Sequence, residues 1–246
     1  MLDELIIIPA RYRSTRLPGK PLIPVGGKPM LVQTHARCLE VLPREQIVVA
    51  TDDKRIADLC REHGILFEMT SPDHPTGGDR VAEVAGRIAA RTYLNIQGDE
   101  PVCNPKDIEL LIAAARQHRE RTIIGYCDLE SEQAWRDRHC CKLIFNAAGE
   151  VIYIGRAAVP ASRTGEFRGG HRQVCLHAYP AEALHAFAAA GGKTPLESIE
   201  DHEMLRFLEL GMKVHAIRMS DQSVPVDRPD DVPRAEAMMR KVGLLH

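Results

Sequence analysis

The sequence predicts an α/β fold on a mainly parallel sheet, because apolar runs of strand length alternate with stretches of helical periodicity and turn or polar residues close several of the runs. A chain of 246 residues can bury the core of one large α/β domain. The strand runs are Leu5 to Ile8, Gln46 to Ala50, Ile65 to Met69, Tyr93 to Ile96 and Thr122 to Tyr126. Helical spacing of apolar positions fills Met30 to Leu42, Lys54 to His63, Arg80 to Arg91 and Pro105 to Gln117. This alternation places ligands beyond the carboxyl ends of the strands, so site residues should follow strands.

After about residue 140 the rhythm changes. Lys142 to Phe145, the turn Asn146-Ala147-Ala148-Gly149, and Glu150 to Ile154 read as a hairpin. The Arg- and Gly-rich segment Ala161 to His171 reads as a loop, Pro195 to Leu210 as helical, Lys213 to Ile217 as a strand, and a last helix should begin near Pro229. The expected organisation is one domain over residues 1–246, with an inserted antiparallel portion at about 140–190 that serves an acceptor and a dimer contact.

Composition narrows the function classes. A formal net charge of -2 and an aromatic share of 4% argue against a nucleic-acid platform, so basic residues matter where they cluster. No stretch is long and apolar enough for a membrane span, and the start of the chain is unlike a secretory signal. The seven cysteines are odd in number and form no C-x-x-C pair, which points to reduced thiols and a cytoplasmic protein. His139, Cys140, Cys141, His171, Cys175 and His177 match no zinc spacing.

The densest chemical signal follows the first strand. Arg11, Arg13, Arg16 and Lys20 put four cations within ten residues, while Pro18, Gly19 and Pro21 oppose a regular helix and leave backbone N–H groups for a ligand. Arginine forks and a lysine point charge suit a triphosphate. The alternative is a solvated basic loop. The run fits neither a P-loop nor a dinucleotide fingerprint. Asp99 follows a strand through Gln97-Gly98, and Asp227 lies at a second strand-to-helix junction. Two such carboxylates can ligate magnesium, or they can be turn and N-cap residues.

The run Ile8-Pro9-Ala10-Arg11 through Ser14-Thr15-Arg16-Leu17-Pro18-Gly19-Lys20-Pro21-Leu22 resembles the signature of the 3-deoxy-manno-octulosonate (Kdo) cytidylyltransferases. Val48 to Asp52, Gln97 to Pro101, Pro195-Leu196-Glu197 with Glu200, and Val226-Asp227 with Pro229 extend the similarity over nearly the whole chain. The resemblance implies a nucleotide-diphospho-sugar transferase fold, commonly dimeric, and transfer of CMP from CTP to an acidic acceptor with release of pyrophosphate. It implies Mg2+ on Asp99 and Asp227, and catalytic roles for Lys20, Arg11 and Asp99. Its nucleotide site comprises Pro9, Ala10, Arg11, Arg13, Ser14, Arg16, Lys20, Gly77, Arg80, Gln97 and Asp99. Gln97, Arg156, Gln173, His177 and Glu203 form its acceptor site.

The acceptor half departs from the family pattern. Gln173 and His177 replace its sugar-contacting His and Tyr, Met204 replaces the Gln of a Glu-Gln pair, and Gly78 stands where Thr is usual. Kdo or a related 2-keto-3-deoxy sugar acid is the expected acceptor, with a phosphonate or another small acid as the alternative and a catalytically silent nucleotide-binding protein as a third reading.

Overall fold

A computed structural model describes residues 1–13 and 17–245. In chain order, β1 (Leu2–Ala10) is followed by a small hairpin of β2 (Pro24–Val25) and β3 (Lys28–Pro29), then α1 (Met30–Leu39), β4 (Ile47–Thr51), α2 (Lys54–Glu62), β5 (Phe67–Met69), α3 (Gly77–Ala85), β6 (Ala90–Ile96), α4 (Pro105–Gln117) and β7 (Thr122–Asp128). The second half comprises α5 (Glu132–Arg136), the hairpin β8 (Lys142–Phe145) and β9 (Val151–Gly155), β10 (His171–Pro180), α6 (Ala181–Ala189), α7 (Pro195–Glu200), α8 (Met204–Glu209), β11 (Val214–Arg218) and α9 (Asp231–Lys241).

The main sheet runs β11-β7-β10-β6-β1-β4-β5. β1 pairs in parallel with β4 and β6, β4 with β5, and β7 with β11, whereas β10 is antiparallel to both β6 and β7. From Leu5 to Ile8 β1 is apolar without alternation because both its faces are covered. Ile6 and Ile8 pack in the cluster that contains Leu31 of α1, Ile56 of α2 and Leu111 of α4, and Leu5 and Ile7 pack in the one that contains Val81 of α3, Leu184 of α6 and Phe207 of α8. A third cluster joins Val25, Val102, Val226 and Met239, which seats α9 and the segment before it beside the chain that leaves β6.

Local chemistry sets the helix starts. Asp53 caps α2 by accepting from the Arg55 N–H at 2.9 Å, and Asn104 followed by Pro105 opens α4. Thr76 and Asp79 form a capping box at the start of α3.

Two expectations need correction. The helix expected over Arg80 to Arg91 ends at Ala85, and Arg91 already lies in β6. The stretch Pro195 to Leu210 is two helices, because Asp201 takes a left-handed φ of 51° between them. The antiparallel portion comprises the β8–β9 hairpin and β10, which runs through the middle of the main sheet.

Candidate active site

The carboxyl ends of β1, β6, β7 and β11, together with the start of the reversed β10, surround a cleft of about 920 Å3. Pro9, Ala10, Arg11, Lys20, Gly77, Arg80, Gln97, Asp99, Arg156, Gln173, His177, Glu203 and Asp227 all line it. Arg13 does not; it is exposed, and its charge acts on Asp53 at the start of α2. Ser14 and Arg16 lie outside the described residues.

The end of the cleft expected to take the nucleotide is built around Lys20. Gly19, at φ 70°, turns the chain so that its N–H reaches the Tyr12 carbonyl at 3.0 Å, and a Cβ there would come within 3.1 Å of the Tyr12 ring. The Lys20 ammonium then donates to Asp99 and, at 3.0 Å, to Asp227. Burial opposes its charge, but the two carboxylates hold its pKa above the usual lysine value. Asp99 gets there because Gly98 packs against the end of β1, where a Cβ would meet the Pro9 carbonyl at 3.0 Å. Asp227 gets there because the Val226 N–H donates to the Asp99 carbonyl at 3.0 Å. The two carboxylates therefore converge on one cation.

This donor set fits magnesium. Two carboxylates already share a positive charge, and magnesium takes oxygen ligands from one or two carboxylates while phosphate and water complete its shell. Among the described residues no group of three or more His, Cys, Asp or Glu side chains is arranged as an all-protein metal cage.

Arg80 lies on the floor of the cleft, 3% exposed. Its guanidinium bonds Thr70 and sits 3.4 Å from Asp52. Burial, partly offset by Asp52, lowers its pKa. Gly77 has room for a Cβ, with no atom nearer than 3.5 Å, whereas at Gly78 a Cβ would meet the Glu203 carboxylate at 3.0 Å. The departure at Gly78 thus lets Glu203 accept from the Gly78 N–H at 2.6 Å.

Arg206, fully buried, braces this wall. Its fork bonds Glu197 at 2.7 and 2.8 Å and Asp79 of the capping box at 2.6 and 3.2 Å. Burial opposes its charge, yet these hydrogen bonds raise its pKa.

At the end of the cleft expected to take the acceptor, side chains bind one another and the main chain. Arg156 lines the cleft, but its guanidinium is engaged by three main-chain carbonyls, those of Glu200 at 2.6 Å and of Arg138 and Asp201 at 3.1 Å. His177 is 2% exposed, and both its ring nitrogens are occupied, by Gln173 at 2.8 Å and Tyr179 at 3.1 Å. It stands behind Gln173. Glu203 accepts from Tyr179 and Asn95, each at 3.1 Å, besides Gly78, so it anchors the wall. Burial raises its pKa.

Two further residues enter the cleft. Arg172, at the start of β10, lines it, while Arg163 and Arg168 of the preceding loop are exposed elsewhere. His202, buried between α7 and α8, donates to Gln173. Its only sequence signal is its position beside Glu203.

A cytidylyltransferase family model matches residues 5–214. The 3-deoxy-manno-octulosonate cytidylyltransferase of Escherichia coli is 32% identical over 239 residues, covering 97% of each chain. The enzyme of the same name from Myxococcus xanthus is 38% identical over 241 residues and 96% of each chain. A solved CMP:2-keto-3-deoxy-manno-octonic acid synthetase complexed with CTP superposes with a TM-score of 0.89 at 30% identity, over 98% of this chain and 99% of that one.

Proposed function

The chain belongs to the cytidylyltransferase family, and we propose that it transfers CMP from CTP to 3-deoxy-manno-octulosonate with release of pyrophosphate. The observation that carries this reading is the Lys20 ammonium held between Asp99 and Asp227 at the strand ends, in a chain whose relatives bear that activity in their names.

An oxygen of the acceptor attacks the α-phosphorus. A new P–O bond forms there, the bond to the β-phosphate oxygen breaks, pyrophosphate leaves with the electron pair, and the acceptor hydroxyl gives its proton to water. No covalent enzyme intermediate is needed, so positioning and charge neutralisation account for catalysis. Lys20 and Arg11 hold the phosphates, and Arg80 with the start of α3 holds the nucleoside end. Gln97 lies at the junction with the acceptor. Asp99 and Asp227 would hold magnesium, which would supply Lewis-acid neutralisation of the phosphate oxygens. Arg172 contributes positive charge for the acceptor's acid group.

The protein works in the cytoplasm, a reading supported by its seven free cysteines. We infer a homodimer from the family resemblance; Ile152 on β9 and Ile199 on α7 are exposed apolar side chains. Incubation with CTP, magnesium and a panel of Kdo, other sugar acids and phosphonates, with pyrophosphate release as the readout, tests the reaction. Turnover only with another acid would replace the acceptor, and turnover with none would sink the reading.

A further inference from the structure

Behind the acceptor end runs a chain of side-chain hydrogen bonds with one direction. The backbone N–H of Met204 donates to His202 Nδ1 at 3.3 Å, so the proton of the neutral ring sits on Nε2, which donates to Gln173 Oε1. The amide nitrogen of Gln173 can only donate, at 2.8 Å to His177 Nε2, which leaves the His177 proton on Nδ1. That proton is given to Tyr179 Oη at 3.1 Å, and the Tyr179 hydroxyl donates to Glu203 Oε1 at 3.1 Å. Asn95 donates to both Tyr179 and Glu203 and accepts from Gln97 at 3.3 Å, so the second cleft glutamine joins the same network. Burial keeps both rings neutral, lowering His177 to about 3 and His202 to about 4.

We propose that His202 is a positioning residue for the acceptor. Through the chain His202–Gln173–His177–Tyr179–Glu203 it fixes which end of the Gln173 amide faces each neighbour, and the amide then offers an N–H and a carbonyl lone pair of settled orientation to an acceptor hydroxyl. The inference rests on the cytidylyl-transfer reading and deepens it. An amide free to flip would meet a hydroxyl in either sense; one fixed by a histidine tautomer discriminates, because a group of the wrong sense leaves a buried polar atom unpaired.

Steady-state kinetics with CTP and Kdo on the wild type, His202→Leu and His202→Gln test this, alongside 15N NMR of the histidine tautomers. His202→Leu should raise the KM for Kdo about tenfold, the size of one lost hydrogen bond, and leave the KM for CTP within about twofold. His202→Gln, which restores a donor at the Nε2 position, should recover most of that loss. An unchanged KM for Kdo, an equal rise for CTP, or no rescue by Gln overturns the assignment. Wild-type turnover with a different acid only would replace Kdo while the same variants are measured on that acid. Turnover with none would remove the transfer reading, and the NMR then decides the chain alone: a proton on His202 Nδ1 or His177 Nε2 overturns it.

Discussion

Lys20 and Asp99 lie 79 residues apart in the chain and form an ion pair in the fold. Asp99→Asn removes one of the two carboxylate charges on that ammonium and on the proposed magnesium. We expect kcat to fall by about 10² to 10³, the range seen when one electrostatic contact to a transition state is removed, with the far-UV circular dichroism unchanged. Chelation with EDTA should abolish pyrophosphate release, and added magnesium should restore it. Near-normal turnover of the variant would refute the assignment.

A Cβ at Gly78 would lie 3.0 Å from the Glu203 carboxylate and 3.1 Å from the Phe187 ring, so a side chain there would press on both. Gly78→Ala should destabilise the protein by about 1 to 3 kcal/mol, the usual cost of overpacking, seen as a lower urea midpoint. Because the displaced carboxylate anchors the acceptor wall, the KM for the acceptor should rise more than that for CTP.

Arg206→Met leaves Asp79 and Glu197 without their cation in a buried site. Removing one partner of such a group costs about 3 to 5 kcal/mol, and equilibrium unfolding should show it. A variant within 1 kcal/mol of wild type, on the order of a surface pair, would contradict the buried network.

The pH dependence of stability isolates His202. Its pKa falls from 6.5 to about 4 on folding, chiefly through burial. Between those values the unfolded chain binds the proton and the folded one does not, so acid favours unfolding and this group's destabilising effect is absent above pH 6.5. Glutamine does not titrate. The stability of wild type minus that of His202→Gln should therefore rise as pH increases from about 4 to 6.5, by on the order of 3 kcal/mol, and be flat above it. A difference that is flat throughout would contradict a buried neutral ring.

The α/β class was legible because strands covered on both faces are unbroken apolar runs, as in Leu5 to Ile8. β10 was not, since Gln173 and His177 interrupt its apolar pattern and the pairing with β7 shifts register between Val174 and His177. Asp201 splits the last helical stretch by a backbone conformation that its residue type permits but does not announce. That Arg11 and Lys20 enter one cleft was readable from the crowding of cations after one strand. The meeting of Asp99 with Asp227 was not, for it depends on Val226 docking against the chain that leaves β6. His202 carries its meaning only through Met204 and Gln173.

The reversed β10 begins at the edge where the strands before it end. Substitutions at the start of that strand, where Arg172, Gln173 and Cys175 line the cleft, can therefore remodel one wall while Arg11 and Lys20 after β1 stay as they were. Such an arrangement separates the inheritance of the two substrates: a lineage can keep its energy donor and try new recipients, one substitution at a time.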